Sequence, residues 1–171
     1  MVRNILFTLL FVVALVGCNN DDETDKTFLE NYEEIIWKRE VQEGPEVGRI
    51  IYFVFENNLN SYLKVWDQYG VNIEKDCFNF QRSPSMVDEN HSFEIVENST
   101  NKFECLYTDS VNTNEIYYTN HVKFTIEDDK LIFWSRYTFY DNMETGVNIW
   151  SYDKSLDNLD NLTICKLSDN K

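Results

Sequence analysis

Four cysteines, at positions 18, 77, 105 and 165, are the residues with the most chemistry of their own. Cys18 stands apart in its setting. Arg3 is followed by the apolar run from Ile5 to Val16, then by small Gly17, then by the cysteine. A basic residue, a short apolar core and a small residue before the cut form the three-part pattern of an export signal. The run is too short to cross a hydrocarbon core of ~30 Å as a helix. The other three thiols then meet an oxidising compartment, where one disulfide is expected. Cys105, between Phe103 and Tyr107, falls on an inward face and reads as a free thiol acting as a small hydrophobe. Cys77 with Cys165 is the favoured pair, tying the last strand to the middle of the barrel; the alternative leaves all three reduced.

Other reactive groups are scattered. His91 and His121 each lie in a strand with no partner histidine at metal-ligand spacing, and alternation puts His121 on the solvent face with Lys123 and Thr125. No glycine-rich phosphate loop and no Gly-x-Ser-x-Gly elbow occurs. The acidic stretch Asp157 to Leu162 lacks the central glycine and terminal glutamate of a calcium loop and reads as a turn. The chain has 30 Asp and Glu residues, so some pair will always mimic a glycosidase couple, and that signal has no weight. The expectation is a protein that is not an enzyme and uses no metal or cofactor.

Leu15-Val16-Gly17-Cys18 resembles the bacterial lipobox, where signal peptidase cuts before a cysteine carrying a diacylglycerol thioether. The resemblance implies lipidation of Cys18 and a membrane anchor of N-terminal acyl chains, each stabilised by ~0.8 kcal/mol per buried methylene. The segment from Asn19 to Thr27 is polar and acidic and cannot bury enough surface to order itself. Within it, Asp21-Asp22-Glu23 resembles the surface-export signal of Bacteroidetes lipoproteins, which implies an outer-membrane address with display at the cell surface. The organisation is thus a signal over 1–17, a tether over 18–27 and one domain over 28–171.

The whole chain has a net charge of −15. Such a surface repels phosphate backbones, which excludes nucleic acid as a natural partner. It repels anionic headgroups too, so acyl chains rather than charge must hold the protein at a membrane. Aromatic residues make up 15% of the chain, too many for a disordered composition and suited to strands.

The pattern along the domain is strand-length alternation broken by Asn, Asp and Gly. A short helical turn is expected over Phe28–Tyr32. Strands are expected over 35–41, 49–56, 61–67, 73–80, 91–96, 102–108, 115–126, 130–140, 147–152 and 162–167, with a loop around Arg82-Ser83-Pro84-Ser85. The clearest hairpin turns at Asp128-Asp129. No long stretch keeps a 3.6-residue apolar period. Short strands joined mostly by hairpins predict an all-β fold, either an antiparallel up-and-down barrel of about eight strands or a β-sandwich.

Tyr32 to Lys38, with Trp37 in the first strand, and the late hairpin from Lys123 to Leu131 resemble lipocalin-like lipoproteins of Bacteroidetes. The resemblance implies a barrel whose mouth holds a small apolar ligand. On that basis and on alternation, Trp37, Phe53, Phe55, Phe124 and Phe133 line any cavity, although bulky aromatics equally fill a core. Trp66, Trp134 and Trp150 read first as core residues as well. The stretches 49–55 and 131–140 are apolar on both faces, so something must cover their outer side or a cavity must use them. Asp109-Ser110-Val111, placed in a loop, resembles the O-glycosylation site of Bacteroidetes exported proteins and marks Ser110.

Two functions follow as expectations. The first is a non-enzymatic binding module for a small apolar or amphipathic ligand. The second is a surface interaction protein that engages a glycan or a protein partner.

Overall fold

The computed structural model describes residues 25–68, 77–84, 91–112, 115–139, 143 and 145–165. Cys18 and residues 18–24 of the tether lie outside them. Among the described residues the first regular element is helix α1 (Phe28–Tyr32), capped by Thr27. The Thr27 backbone N–H donates to Glu30 Oε2 at 2.8 Å, and Glu30 N–H donates back to Thr27 Oγ1 at 3.4 Å. This reciprocal capping satisfies two orphan donors and starts a helix too short to stand alone. Thr27 therefore belongs to the domain rather than to the tether. Phe28 and Leu29 are fully buried, with Phe28 edge-on to Phe55 at 5.1 Å, so α1 plugs one end of the molecule.

Nine antiparallel strands follow: β1 (Ile36–Glu40), β2 (Ile50–Phe55), β3 (Leu63–Asp67), β4 (Asn79–Ser83), β5 (His91–Asn98), β6 (Lys102–Asn112), β7 (Glu115–Glu127), β8 (Lys130–Phe139) and β9 (Asn148–Lys154). They form one sheet in the order β4-β3-β2-β1-β9-β8-β7-β6-β5. This is an up-and-down meander in which the first strand joins the last. The sheet curls into a half-barrel, and a single sheet rules out the sandwich. Two long hairpins dominate. Between β7 and β8, Asp128 and Asp129 both take positive φ, 49° and 61°, the backbone of a two-residue turn whose twist matches its strands.

Three details depart from the sequence reading. Arg82 and Ser83 stand inside β4, paired with Lys64 and Leu63, not in a loop. Ser110 lies in β6 beside a register shift and is half-buried, because the β6–β7 hairpin runs further than its apolar alternation shows. Of the final strand expected over 162–167, residues 166–167 lie outside the described ones; over the described part the chain makes a 3₁₀ turn at Leu159–Asn161 and a single bridge from Ile164 to Phe78. That segment is a strap. Ser155 N–H donates to Ile36 O at 2.8 Å, and a disulfide joins Cys77 to Cys165 with Cα atoms 4.9 Å apart.

The strap explains why β2 is apolar on both faces. Ile51, Phe53 and Phe55 point into the curled interior, while Tyr52 and Val54 lie on the outer face. Tyr52 is buried there and donates its hydroxyl to Asp157 of the strap at 2.7 Å.

Candidate functional site

The interior is built from aromatic rings. Trp37, Phe55 and Phe124 are fully buried, Phe53 nearly so, and Phe133 is partly buried against them. Phe53 stacks on Tyr152 at 4.4 Å, and Phe55 meets Phe124 edge-on at 5.1 Å. Phe133 stands 5.3 Å from Phe124 and stacks on Trp150 at 5.3 Å. The structure thus brings the five sequence-chosen residues to one place, where they occupy the space with one another. Such ring pairs contribute roughly 0.5–1.5 kcal/mol each beyond area burial.

The concave face continues past this core. Strands β6, β7 and β8 have 11, 13 and 10 residues, against five or six in β1 to β4. Cross-strand register builds successive rows on that face. Ile95, Cys105, Val122 and Ser135 form a row above the core, the last three buried and Ile95 partly so. Phe93, Tyr107, Asn120 and Tyr137 form the next, and His91, Asp109, Tyr118 and Phe139 the one after. Both outer rows are half-buried. Alternation places all three rows on the face of Phe103 and Phe124. Tyr118 is the hub, 6.3 Å from Tyr107, 5.7 Å from Tyr137 and 6.2 Å from Phe139 between ring centroids.

Polar groups converge on this aromatic ledge. His91 Nε2 is 3.6 Å from Asp109 Oδ1. In the middle row, Asn120 Oδ1 is shielded from solvent and has no hydrogen-bond partner among the described residues. A sequestered acceptor without a donor costs roughly 1–3 kcal/mol, so a ligand donor placed there recovers that energy. Sequence reasoning passed over this ledge. Its signal was the same alternation that found Phe124: counting back by twos gives Val122, Asn120 and Tyr118.

Below the ledge the free thiol is inert. Cys105 Sγ is 3.4 Å from the Tyr62 hydroxyl, and burial pushes the thiol up to about 11. Burial likewise raises the Tyr62 hydroxyl, so both are neutral at ordinary pH. On the opposite, outer face of β6 and β7, His121 hydrogen-bonds Glu104, which also pairs with Lys102. Burial pushes the Glu104 carboxyl up, but these two partners outweigh it and hold it below its ordinary value. His121 is a structural partner here, beside Lys123 on the polar face. Among the described residues no group of three or more His, Cys, Asp or Glu is placed to hold a metal ion.

Two surface depressions lie elsewhere among the described residues. One, of about 700 Å³, opens where β1 and β9 part beyond their short pairing at Trp37–Lys154 and Lys38–Asp153; Arg39 caps the Trp150 ring there at 4.8 Å. The other, of about 610 Å³, lies on the outer face between the strap and the outer side of β3 and β4. Trp66 and Phe80 stand directly opposite each other in it, centroids 4.9 Å apart. Asp157 closes one side. Its carboxylate accepts from Tyr52 Oη at 2.7 Å and Lys38 Nζ at 2.9 Å, and hydrogen bonds from Tyr52, Lys38 and Ser155 bring it down to about 2.

Comparison with protein-family models, with curated proteins and with solved structures found no match.

Proposed function

We propose that this protein is a lipid-anchored outer-membrane lipoprotein, held by acyl chains on Cys18 and displayed at the cell surface. Its domain is a non-enzymatic binding module for a small amphipathic ligand. The observation that supports binding is the concave ledge, where tyrosine rings surround the unpaired Asn120 acceptor. A flat apolar body rests on Tyr107, Tyr118 and Tyr137, and a hydroxyl or amide N–H of the ligand donates to Asn120. A few oriented polar groups within an apolar lining are what a small-ligand site requires. The net charge of −15 favours a neutral or cationic ligand over an anionic one. The site lies above the aromatic core rather than among Trp37, Phe53, Phe55, Phe124 and Phe133, whose rings fill the interior.

Native mass spectrometry of the lipoprotein purified from its own cells tests this reading. The expected result is a retained small molecule in the unmodified protein, lost in Tyr118→Ala and reduced at least tenfold in Asn120→Ala. An unliganded protein, or a bound molecule indifferent to both substitutions, overturns it.

A further inference from the structure

The geometry points to a second, separate site: the outer-face groove formed by Trp66, Phe80 and the strap binds a neutral sugar ring of a surface glycan. The floor is aromatic and accessible. Trp66 and Phe80 are cross-strand partners on the outer face of β3 and β4, and Phe80 is 41% exposed. Val54 extends this apolar floor, and the strap's Leu156 projects fully into solvent at its border. A core-forming pair would be hidden by a further layer of protein; this one faces a groove of about 610 Å³. That is room for one or two sugar rings, within the ordinary range of small-molecule sites.

The border supplies hydroxyl partners of both kinds. Glu34, Asp157 and Asp160 present carboxylates, Asn158 an amide, and Lys64 an ammonium group. Asp157 is held in place by Lys38 and Tyr52, yet its side chain remains 41% exposed. A fixed ionised carboxylate accepts strong hydrogen bonds from ligand hydroxyls without having to be ordered first. A pyranose offers the matching surface: one face of C–H groups for the rings, and hydroxyls around its edge for the border.

Charge selects among the alternatives. Three carboxylates in the border, on a chain of net charge −15, disfavour sulfated or carboxylated sugars. A basic peptide would suit the carboxylates, but Asp157 is already paired with Lys38 at 2.9 Å, and Lys64, paired with Glu56 at 2.8 Å, keeps a cation within the groove, so little unmet negative charge is left for a second one. Mixed donors and acceptors around an aromatic floor fit a neutral polyhydroxylated ring best.

The test is titration calorimetry of the full-length lipoprotein in detergent micelles against three sets of probes. These are neutral gluco-, galacto- and manno-configured trisaccharides, a sulfated disaccharide, and a Lys/Arg hexapeptide. Saturable binding of at least one neutral trisaccharide is expected, weakened at least tenfold in both Phe80→Ala and Asp157→Asn. Phe80 is exposed, so its removal leaves the fold intact, which a matching circular dichroism spectrum and melting temperature verify. Tyr118→Ala, on the opposite face, should leave sugar binding unchanged, so failure of this site and failure of the ledge are read separately. Absence of binding by every neutral sugar, preference for the sulfated sugar or the peptide, or equal affinity in Phe80→Ala overturns the assignment.

Discussion

Tyr62 stacks on Phe93, with ring centroids 5.3 Å apart and planes 13° from parallel, and so joins the β3–β4 end of the sheet to the β5 edge, which backbone hydrogen bonds leave separate. Tyr62 directly precedes β3, whereas Phe93 lies in β5, the far edge strand. The same ring lies 4.7 Å from Phe103, and its hydroxyl accepts from Ser83 Oγ at 3.4 Å. Among the described residues, curling is completed by side chains rather than by a ladder, with Tyr62 joined by Phe28 against Phe103 and by Leu29 N–H donating to Asn98 Oδ1. Tyr62→Ala should destabilise the fold by about 3–5 kcal/mol, the usual cost of deleting a buried aromatic ring. Tyr62→Phe keeps the ring and should cost about 1 kcal/mol. Urea unfolding compares them; equal losses would mean that the hydroxyl, not the stack, holds the seam.

The disulfide closes a loop with a sequence separation of 88. In the loop-entropy account its removal costs about 4.6 kcal/mol. The double variant Cys77→Ser/Cys165→Ser should therefore unfold at a clearly lower urea concentration. Its remaining buried thiol, Cys105, should stay unreactive toward a thiol reagent until the protein unfolds, since burial holds it at about 11. Rapid labelling of Cys105 under native conditions would contradict that placement.

Acid should weaken the hold of Asp157 on Tyr52 and Lys38. The Asp157 carboxyl has its folded value lowered from 3.8 to about 2, so the unfolded chain binds its proton first. Its contribution is fully present above pH ~4 and is lost as pH falls through the interval to about 2. Because the side chain is 41% exposed, solvent screening keeps the effect small. Asp157→Asn should flatten the acid limb of a stability–pH profile below pH ~4 and leave the neutral-to-alkaline region parallel to that of the parent. Identical acid limbs would show that other carboxylates, Glu56 and Glu104 among them, carry the dependence.

Lipidation at Cys18 is tested by replacing it with serine and labelling cells with a palmitate analogue. The unmodified protein should take up label and sediment with membranes, and Cys18→Ser should do neither. Label retained by the variant would end the lipoprotein reading.

Much of the fold was legible because strand alternation is a local property. Val122, Phe124 and Ile126 announce an inward face without reference to any other part of the chain, and Asp128-Asp129 announces the turn that follows. The Thr27–Glu30 capping box, three residues apart, is equally local. The strap was not legible. Residues 162–167 have the composition of a strand, but Ile164 and Cys165 are held by one bridge to Phe78 and by a disulfide, both set by distant chain. The ledge was only half legible: alternation names Tyr118 and Asn120, but not that β6 to β8 outrun β1 to β4 and leave them beyond the core.

By itself the sequence determined the antiparallel meander, the aromatic interior and the residues that would gather there, because side-chain period and turn chemistry act over a few residues. Tertiary structure alone decided which aromatic residues are packed and which stay half-exposed. Trp37 and Trp66 look alike in sequence, each in a short strand. One is sealed by α1 and its neighbours, and the other is left in a groove because the strap, which runs from Ile36 to Phe78 just ahead of β4, borders the Trp66–Phe80 pair without covering it. Burial depends on what crosses a surface from elsewhere in the chain, and no local pattern carries that information.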